Sequence, residues 1–179
     1  MEFNGVERSR AAVIGGVLSS LYASSVNASL LDVGCGEGAI SDFITMNQKA
    51  KYVGVDISKE AIHLAKSKRG PPLRFVHSAA HTFQPKNNFD VVVFSEVLYY
   101  VEHEKVISQY LEYLNPKGIM IISNYHLTEQ LLPEHQKIFD YARSHLTFLD
   151  EVDISGYINK MKGEKKIKTG LHLEVYRKK

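Results

Sequence analysis

The chain has 179 residues, of which 44% are hydrophobic and 23% charged, and its formal net charge is +2. These values predict a single domain, residues 1–179, and the balanced charge argues against nucleic acid or a membrane surface as a partner. One cysteine excludes an internal disulfide, and no apolar run approaches the roughly 20 residues of a transmembrane helix. Because no export signal is recognisable either, we expect a reduced, cytoplasmic protein.

Strand-like and helix-like segments alternate along residues 6–123. The segment DVVVF is a mostly β-branched run, which is typical of a strand buried on both faces. The predicted strands are 30–33, 51–55, 73–76, 90–94 and 119–123. The predicted helices are 6–23, 39–46, one that begins after the N-cap Ser58, and 101–114. This alternation predicts an α/β fold in which a parallel sheet carries helices on both faces.

The segments after residue 126 are less regular. Residues 127–145 fit a helix interrupted at Pro133, and residues 147–154 and 170–177 are predicted strands. Residues 160–168 hold five lysines in nine positions. We interpret this run as a solvated hairpin tip, with contact to an acidic partner or substrate as the alternative.

The stretch LLDVGCGEGAI, residues 30–40, leads from the first predicted strand into a turn that contains Gly34, Gly36 and Gly38. In an open α/β sheet, ligands bind beyond the carboxyl ends of the strands, and the first strand-to-helix turn is the usual cradle. Glycine lets the backbone approach a ligand where a Cβ would collide, and the following helix offers unpaired N–H groups. The turn is therefore predicted to bind a ligand, and a purely structural turn is the alternative.

Two classes of ligand bind at such a turn, nicotinamide dinucleotides and S-adenosylmethionine, and the glycine spacing alone does not distinguish them. Gly34, Gly36 and Ala39 satisfy the G-x-G-x-x-G/A fingerprint of dinucleotide sites. Asp56 ends the second strand, where an acid binds ribose hydroxyls. These residues predict an adenosine-containing ligand without identifying it.

Three features favour S-adenosylmethionine over a nicotinamide cofactor. Asp32 lies two residues before the first glycine, where a carboxylate faces the positively charged amino-acid end of such a cofactor. Ser95 and Glu96 end the fourth strand and bring a second acid to the same edge. Finally, we expect a dinucleotide domain plus a substrate domain to need a longer chain.

Four stretches, in order over residues 30–123, resemble motifs of the class I S-adenosylmethionine-dependent methyltransferases. They are LLDVGCGEG, YVGVDIS, FDVVVFSEVLYYV and LNPKGIMIIS, which are similar to the first, second, fourth and fifth motifs. The resemblance implies a Rossmann-like, three-layer α/β/α sandwich with a mostly parallel seven-stranded sheet and an antiparallel last strand. It also implies S-adenosyl-L-methionine as cofactor, S-adenosyl-L-homocysteine as product, and methyl transfer at the end of the fourth strand.

Carried over residue by residue, the resemblance assigns a cofactor site. Asp32 and the three glycines would line the methionine and ribose part, Asp56 would bind both ribose hydroxyls, and Ile57 would pack against the adenine. Family members usually have an acid for the adenine amino group after the third strand, but Ala79 stands there, which leaves this contact to the backbone near Ala80 or to His81. The predicted set is Asp32, Gly34, Cys35, Gly36, Gly38, Asp56, Ile57, Ala79, Ala80, Ser95 and Glu96.

Within the family, SEVLYYVE is similar to the small nodulation-factor N-methyltransferases, whose acceptor is the amine of a chitin-like oligosaccharide. We take size and layout from this similarity, not the acceptor. Bacterial small-RNA 2′-O-methyltransferases carry E-x-x-E-H at this place to hold a divalent metal. Because Val-Leu-Tyr-Tyr follows Glu96, we predict no metal site here, and we interpret His77 and His81 as loop or surface histidines.

Methyl transfer is a direct displacement at the sulfonium carbon, so an enzyme aligns the reactants and excludes water. An amine or hydroxyl acceptor also needs a base. The predicted catalytic residues are His126, the preferred base directly after the fifth strand, together with Glu96 and Tyr99. Tyr99 and Tyr100 suit an acceptor pocket for sugars or cations, and Cys35 is interpreted as a small packing residue.

The sequence therefore predicts an S-adenosylmethionine-dependent methyltransferase that acts on an amine or hydroxyl of a small molecule, with nitrogen slightly favoured. Two alternatives remain open. One is a nicotinamide-dependent reductase with a Rossmann-like fold, and the other is a non-catalytic protein that binds the cofactor to regulate or stabilise a partner. Without an obvious lid, the pocket must be closed by the N-terminal helix, by residues 126–150, or by the second subunit of a homodimer.

Overall fold

A seven-stranded sheet forms the central layer of the fold. The computed structural model describes residues 5–21, 28–44, 51–126, 132–158 and 167–179. The strands are β1 (Leu30–Val33), β2 (Tyr52–Asp56), β3 (Arg74–His77), β4 (Phe89–Ser95), β5 (Leu114–His126), β6 (Thr147–Ile158) and β7 (Ile167–Arg177). Their order in the sheet is β3-β2-β1-β4-β5-β7-β6.

Helices cover both faces of this sheet. They are α1 (Gly5–Leu21), α2 (Lys59–Lys68), α3 (His103–Glu112) and α4 (Leu132–His145). Buried residues of α1 and α2 share one core cluster, and those of α3 and α4 share another. Short 3₁₀ turns follow β1 (Ala39–Asp42) and β4 (Leu98–Tyr100). Within the described ranges, no helix has both the length and the apolar character that a membrane crossing requires.

The strand directions confirm the predicted fold class. β1 pairs in parallel with β2 and β4, β2 with β3, and β4 with β5, whereas β7 runs antiparallel to both β5 and β6. The carboxyl ends of β1, β2, β4 and β5 therefore meet at one edge of the sheet, which we call the rim. Ligands bind at this edge in open α/β sheets.

The alternation of side chains along β4 explains why this strand reads as a continuous apolar run. Val92 and Phe94 face the layer of α3 and α4, while Val91 and Val93 face α1 and α2. All four are at most 1% exposed. Such burial on both faces is characteristic of a strand in the middle of a parallel sheet, as predicted.

Helix α1 packs tightly against the turn after β1. Ala11, Ile14 and Leu18 recur at helical spacing and are buried on the sheet. A Cβ added at Gly15 would collide with the Cβ and carbonyl of Phe43. Glycine at this position therefore allows the close approach that carries the first turns of α1 to the rim.

The predicted helix at residues 39–46 is wrong over its described part. The chain forms only a 3₁₀ turn at Ala39–Asp42 and bends at Phe43, while residues 45 and 46 lie outside the described residues. The Ser41 hydroxyl donates to the Gly38 carbonyl at 2.7 Å. This local bond competes with α-helical hydrogen bonding, which accounts for the tight turn.

The boundaries around β5 also differ from the prediction. Helix α3 ends at Glu112, and β5 begins at Leu114 instead of residue 119, because the segment before Ile119 bulges against β4. Lys117 has a φ of 62°, the left-handed conformation that such a bulge tolerates. Pro133 lies in the first turn of α4, where proline is tolerated, and residues 127–131 of the predicted helix lie outside the described residues.

The predicted N-cap of α2 is confirmed. The Ser58 hydroxyl accepts a hydrogen bond from the Ala61 amide at 3.1 Å. This cap fixes the start of α2, and only two residues separate α2 from the end of β2. The end of β2 is therefore held firmly at the rim.

Candidate functional site

The glycine turn after β1 has the backbone geometry that its sequence predicts. Gly34, Gly36 and Gly38 have φ values of 78°, 53° and 87°. A Cβ at Gly34 would lie 2.9 Å from the Val97 Cβ, whereas a Cβ at Gly36 would meet no described atom within 4 Å. Gly34 is thus required for contact with the end of β4, and Gly36 borders open space at the rim.

Asp56 joins this turn to the end of β2. Its Oδ2 accepts from the Gly36 amide and its Oδ1 from the Ser58 amide, each at 2.8 Å. A carboxylate has lone pairs for further donors. Asp56 therefore shapes the turn and still offers acceptors to hydroxyl groups.

Asp32 is a fully buried carboxylate on the α1 side of the sheet. Its Oδ2 accepts from the Tyr52 hydroxyl at 2.6 Å, and among the described residues its Oδ1 has no hydrogen-bond partner. Burial raises the pKa of Asp32 to about 7, against the opposing influence of Tyr52 and Arg10. A buried carboxylate oxygen without a donor is a natural site for a cationic group.

Glu96 follows β4 in a left-handed conformation, with a φ of 60°. Its Oε2 accepts from the Tyr125 amide at 2.8 Å and from the Tyr99 hydroxyl at 3.1 Å. Its Oε1 lies 4.0 Å from Arg10 Nη1 of α1. Burial raises the pKa of Glu96, opposed by Arg10 and both hydrogen bonds. A non-glycine residue held in this conformation often marks a functional site.

Arg10 is a site residue that sequence reasoning missed. It forms the ion pair with Glu96, and its positive charge opposes the rise in the pKa of Asp32, so one guanidinium interacts with two rim carboxylates. Its position depends on how α1 packs against the sheet. No local pattern around residue 10 contains that information.

A cavity of about 720 Å³ opens at the rim beside these residues. Six predicted site residues line it: Gly34, Asp56, Ile57, Ala79, Ala80 and Glu96. Ile57 is 71% exposed, an unusual state for a large apolar side chain, which suits the flat face of a ligand. The Ala80 carbonyl accepts from Tyr110 at 2.9 Å, so the backbone of this loop is fixed in place.

The predicted cofactor residues Asp32, Gly36 and Gly38 do not line this cavity, and neither do Cys35 and Ser95. The Cys35 sulfur packs over Gly54, where an added Cβ would meet it at 2.8 Å. Ser95 is buried and accepts from the Ser123 hydroxyl at 3.2 Å. Their side chains therefore face the interior of the fold.

An aromatic cluster flanks the cavity on the side of α4. Tyr99 lies 4.4 Å from Tyr100 and 5.1 Å from His135 between ring centroids. Tyr100 lines the cavity and is 77% exposed, whereas His135 is buried. His135 was not among the predicted residues, because its place depends on the docking of α4. His126, the predicted base, ends β5 at the rim, and its side chain lies outside the described part of the chain.

His77 and His81 do not converge on one site. His77 Nε2 lies 3.0 Å from the Ile57 carbonyl, whereas His81 is exposed and lines the cavity.

A second polar cluster lies between α4 and β7. Glu174 is 1% exposed and accepts two hydrogen bonds from Arg143, at 2.6 and 2.9 Å. It also accepts from Tyr176 and pairs with His172, whose other ring nitrogen lies 2.6 Å from Asp153. The carboxylates raise the pKa of His172, Glu174 foremost.

Three potential metal ligands meet in this second cluster. Ligand atoms of Glu151, His172 and Glu174 lie within 4.8 Å of one another. However, the Arg143 guanidinium pairs with both glutamates. The cationic position is therefore already filled by an arginine, and the cluster is a structural ion-pair network.

A family model described as a methyltransferase domain matches residues 24–171 of the chain. The chain belongs to this family. The chain is 27% identical over 117 residues to a ubiquinone biosynthesis O-methyltransferase of Rickettsia bellii, and the match covers 63% of this chain and 48% of that protein. It is 28% identical over 130 residues to nodulation protein S of Rhizobium tropici, covering 69% and 53%. The chain thus spans about half the length of these curated relatives.

The crystal structure of the N-methyltransferase NodS from Bradyrhizobium japonicum, in complex with S-adenosylhomocysteine, has a similar fold. The TM-score is 0.73 at 19% identity, and the match covers 99% of this chain and 89% of that one. The predicted family, a class I methyltransferase with a layout like that of NodS, is confirmed, as is the Rossmann-like fold.

Proposed function

We propose that this chain transfers a methyl group from S-adenosylmethionine to a nitrogen of a small-molecule acceptor. The observation that carries the proposal is Glu96, a largely buried carboxylate in a left-handed conformation where β4 reaches the cavity. Oxygen as the acceptor atom is the runner-up, since the relatives include both an O-methyltransferase and an N-methyltransferase.

The residues at the rim fit the parts of the cofactor. Asp32 Oδ1 would accept from the ammonium of the cofactor's amino-acid end, and Arg10 would pair with the carboxylate of that end. Asp56 would accept from the ribose hydroxyls, and Ile57 and the backbone at Ala80 would hold the adenine. When bound, S-adenosylmethionine supplies an electrophilic methyl group on a positively charged sulfur.

The chain's own contribution is to place the acceptor and to manage its proton. Two donors hold Glu96 Oε2, from Tyr99 and Tyr125, while among the described residues Oε1 has no hydrogen-bond partner. Burial raises the pKa of Glu96, so this carboxylate accepts a proton more readily than an exposed glutamate. Glu96 would orient an amine and help to keep it neutral.

The aromatic cluster supports nitrogen over oxygen. The Tyr100 ring lines the cavity, Tyr99 packs against it and His135 packs against Tyr99, and aromatic faces attract cationic groups. An amine that arrives protonated would be held there beside the Glu96 carboxylate. A neutral hydroxyl gains less from both features. His126, at the end of β5, is the further candidate for the base.

Binding is the first test. S-adenosylhomocysteine and NADH are compared by calorimetry and by thermal shift on the wild-type chain. A ligand at 100 times its dissociation constant adds about 2.7 kcal/mol to the free energy of unfolding, so a specific ligand is readily seen. Stabilisation by NADH but not by S-adenosylhomocysteine would refute the proposal in favour of a reductase.

Transfer is the second test. Labelled methyl incorporation is measured into pairs of small molecules that share a skeleton and differ only in an amine or a hydroxyl, and into a metabolite extract. Glu96→Gln and His126→Gln are each expected to lower transfer by about 10²-fold or more while S-adenosylhomocysteine still binds. Glu104→Gln, an exposed glutamate on α3, is the control. If neither variant changes transfer, the catalytic assignment fails; if wild type binds but never transfers, the chain is a non-catalytic binding protein.

A further inference from the structure

Tyr52, the first residue of β2, lies next to the cofactor residues but carries no role in the proposed function. It is fully buried, and its hydroxyl donates to Asp32 Oδ2 at 2.6 Å. The Phe75 ring packs edge-on against it, with centroids 5.7 Å apart. The Tyr52 ring is therefore fixed, and so is the direction in which its hydroxyl points.

The hydrogen bond from Tyr52 divides the Asp32 carboxylate into two unlike oxygens. Oδ2 has the phenol as its donor, whereas Oδ1, within the described part of the chain, has no donor at all. Leaving a buried carboxylate oxygen unpaired is costly unless a ligand supplies the donor. Rotation of the carboxylate would exchange the two oxygens but would still leave one oxygen unpaired, and the fixed phenol selects which one.

We propose that Tyr52 is a positioning residue of the cofactor site: its hydroxyl holds Asp32 Oδ2 so that Oδ1 is presented to the ammonium group of the cofactor. This inference rests on the proposed function. It assigns Tyr52 no contact with the cofactor, since the tyrosine acts through Asp32.

The groups around Asp32 determine when its carboxylate is charged. Arg10 faces it from α1, Tyr52 and Asp56 from β2, and Cys35 from the glycine turn. Burial raises the pKa of Asp32 to about 7; Tyr52 and Arg10 oppose this effect, and Asp56 adds to it. The phenol stabilises the charged carboxylate, so its loss would raise the pKa of Asp32 further.

The test measures the affinity for S-adenosylhomocysteine by calorimetry between pH 6 and 8.5, for wild type and Tyr52→Phe. Wild-type affinity should fall as the pH drops through the midpoint set by Asp32. Tyr52→Phe should move this midpoint up by about one pH unit and weaken binding about fivefold at pH 7 and about tenfold at pH 6, with a much smaller loss at pH 8.5. Tyr176→Phe is a matched control, since it removes another buried hydroxyl from a buried carboxylate, Glu174, outside the cofactor site.

Asp32→Asn completes a double-mutant cycle. In that background Tyr52→Phe should lose its pH-dependent effect, because no charge remains at position 32. An unchanged midpoint in Tyr52→Phe, while Asp32→Asn weakens binding, overturns the inference and leaves the proposed function intact. Absence of wild-type binding overturns both. If Tyr52→Phe does not fold, the ring carbon resonance of Tyr52 is followed by NMR in wild type as the pH is changed. Its midpoint should equal the midpoint of the affinity, and a resonance that does not change with pH overturns the inference.

Discussion

Replacing Asp32 with asparagine should stabilise the ligand-free protein while it weakens cofactor binding. Asp32 is 0% exposed, and burial raises its pKa from 3.8 to about 7. Between these values the folded state keeps a proton that the unfolded state releases, so the free energy of unfolding falls as the pH rises from about 4 to about 7. The difference of about 3 pH units corresponds to about 4 kcal/mol.

Asparagine has the same shape, can still accept from Tyr52, and does not titrate. At pH 8 the Asp32→Asn protein should therefore be more stable than wild type by a few kcal/mol, and near pH 4 the two should agree. Urea denaturation of both ligand-free proteins, at steps of one pH unit from pH 4 to 8, measures the difference between their free energies of unfolding. The contributions of other titrating groups cancel in this difference. Glu104→Gln, which removes an exposed carboxylate, should follow the wild-type curve. Parallel curves for wild type and Asp32→Asn would refute the reasoning.

Two further predictions concern stability. Gly34→Ala should lower the free energy of unfolding by about 1–3 kcal/mol, because its φ of 78° and the 2.9 Å approach to Val97 exclude a Cβ. Gly16→Ala in α1 should be neutral or stabilising, since a Cβ there meets no described atom within 4 Å. Urea denaturation measures both variants, and equal effects would contradict this prediction. His172 pairs with carboxylates through both ring nitrogens, so its raised pKa adds stability that is complete below pH 6.5 and lost as the pH rises through the folded-state pKa. His172→Gln should therefore lower the melting temperature more at pH 6 than at pH 9, and an equal loss at both would argue against an ionic role.

The parts of the fold that follow from local patterns could be predicted. The glycine turn has positive φ at three closely spaced positions, and the glycines that allow this conformation are visible in the sequence itself. The end of β2 is equally local, since Ser58 caps the helix that follows. Buried strands such as β4 can be recognised from their continuous apolar, β-branched composition. The predicted helix after the glycine turn is a 3₁₀ turn instead, because the hydrogen bond from the Ser41 hydroxyl to the Gly38 carbonyl outweighs helical propensity there.

The contacts that complete the site join residues far apart in the chain. Arg10 reaches Glu96 only because α1 packs closely over the turn after β1. His135 meets Tyr99 only because α4 docks beside β5. Tyr52 meets Asp32 through strand pairing, although in the sequence it is one more apolar-looking residue of a buried strand. Sequence periodicity gives the buried face of each element, not the partner opposite it.

The position of β7 constrains how the polypeptide can fold during synthesis. This strand is inserted between β5 and β6, both made earlier, and Leu173, Val175 and Tyr176 are at most 1% exposed there. Until residues 167–177 leave the ribosome, β6 has no neighbour and β5 presents a bare apolar edge. A nascent chain that stalls before this point should therefore bind chaperones and aggregate, even though every residue proposed to hold the cofactor has already been synthesised.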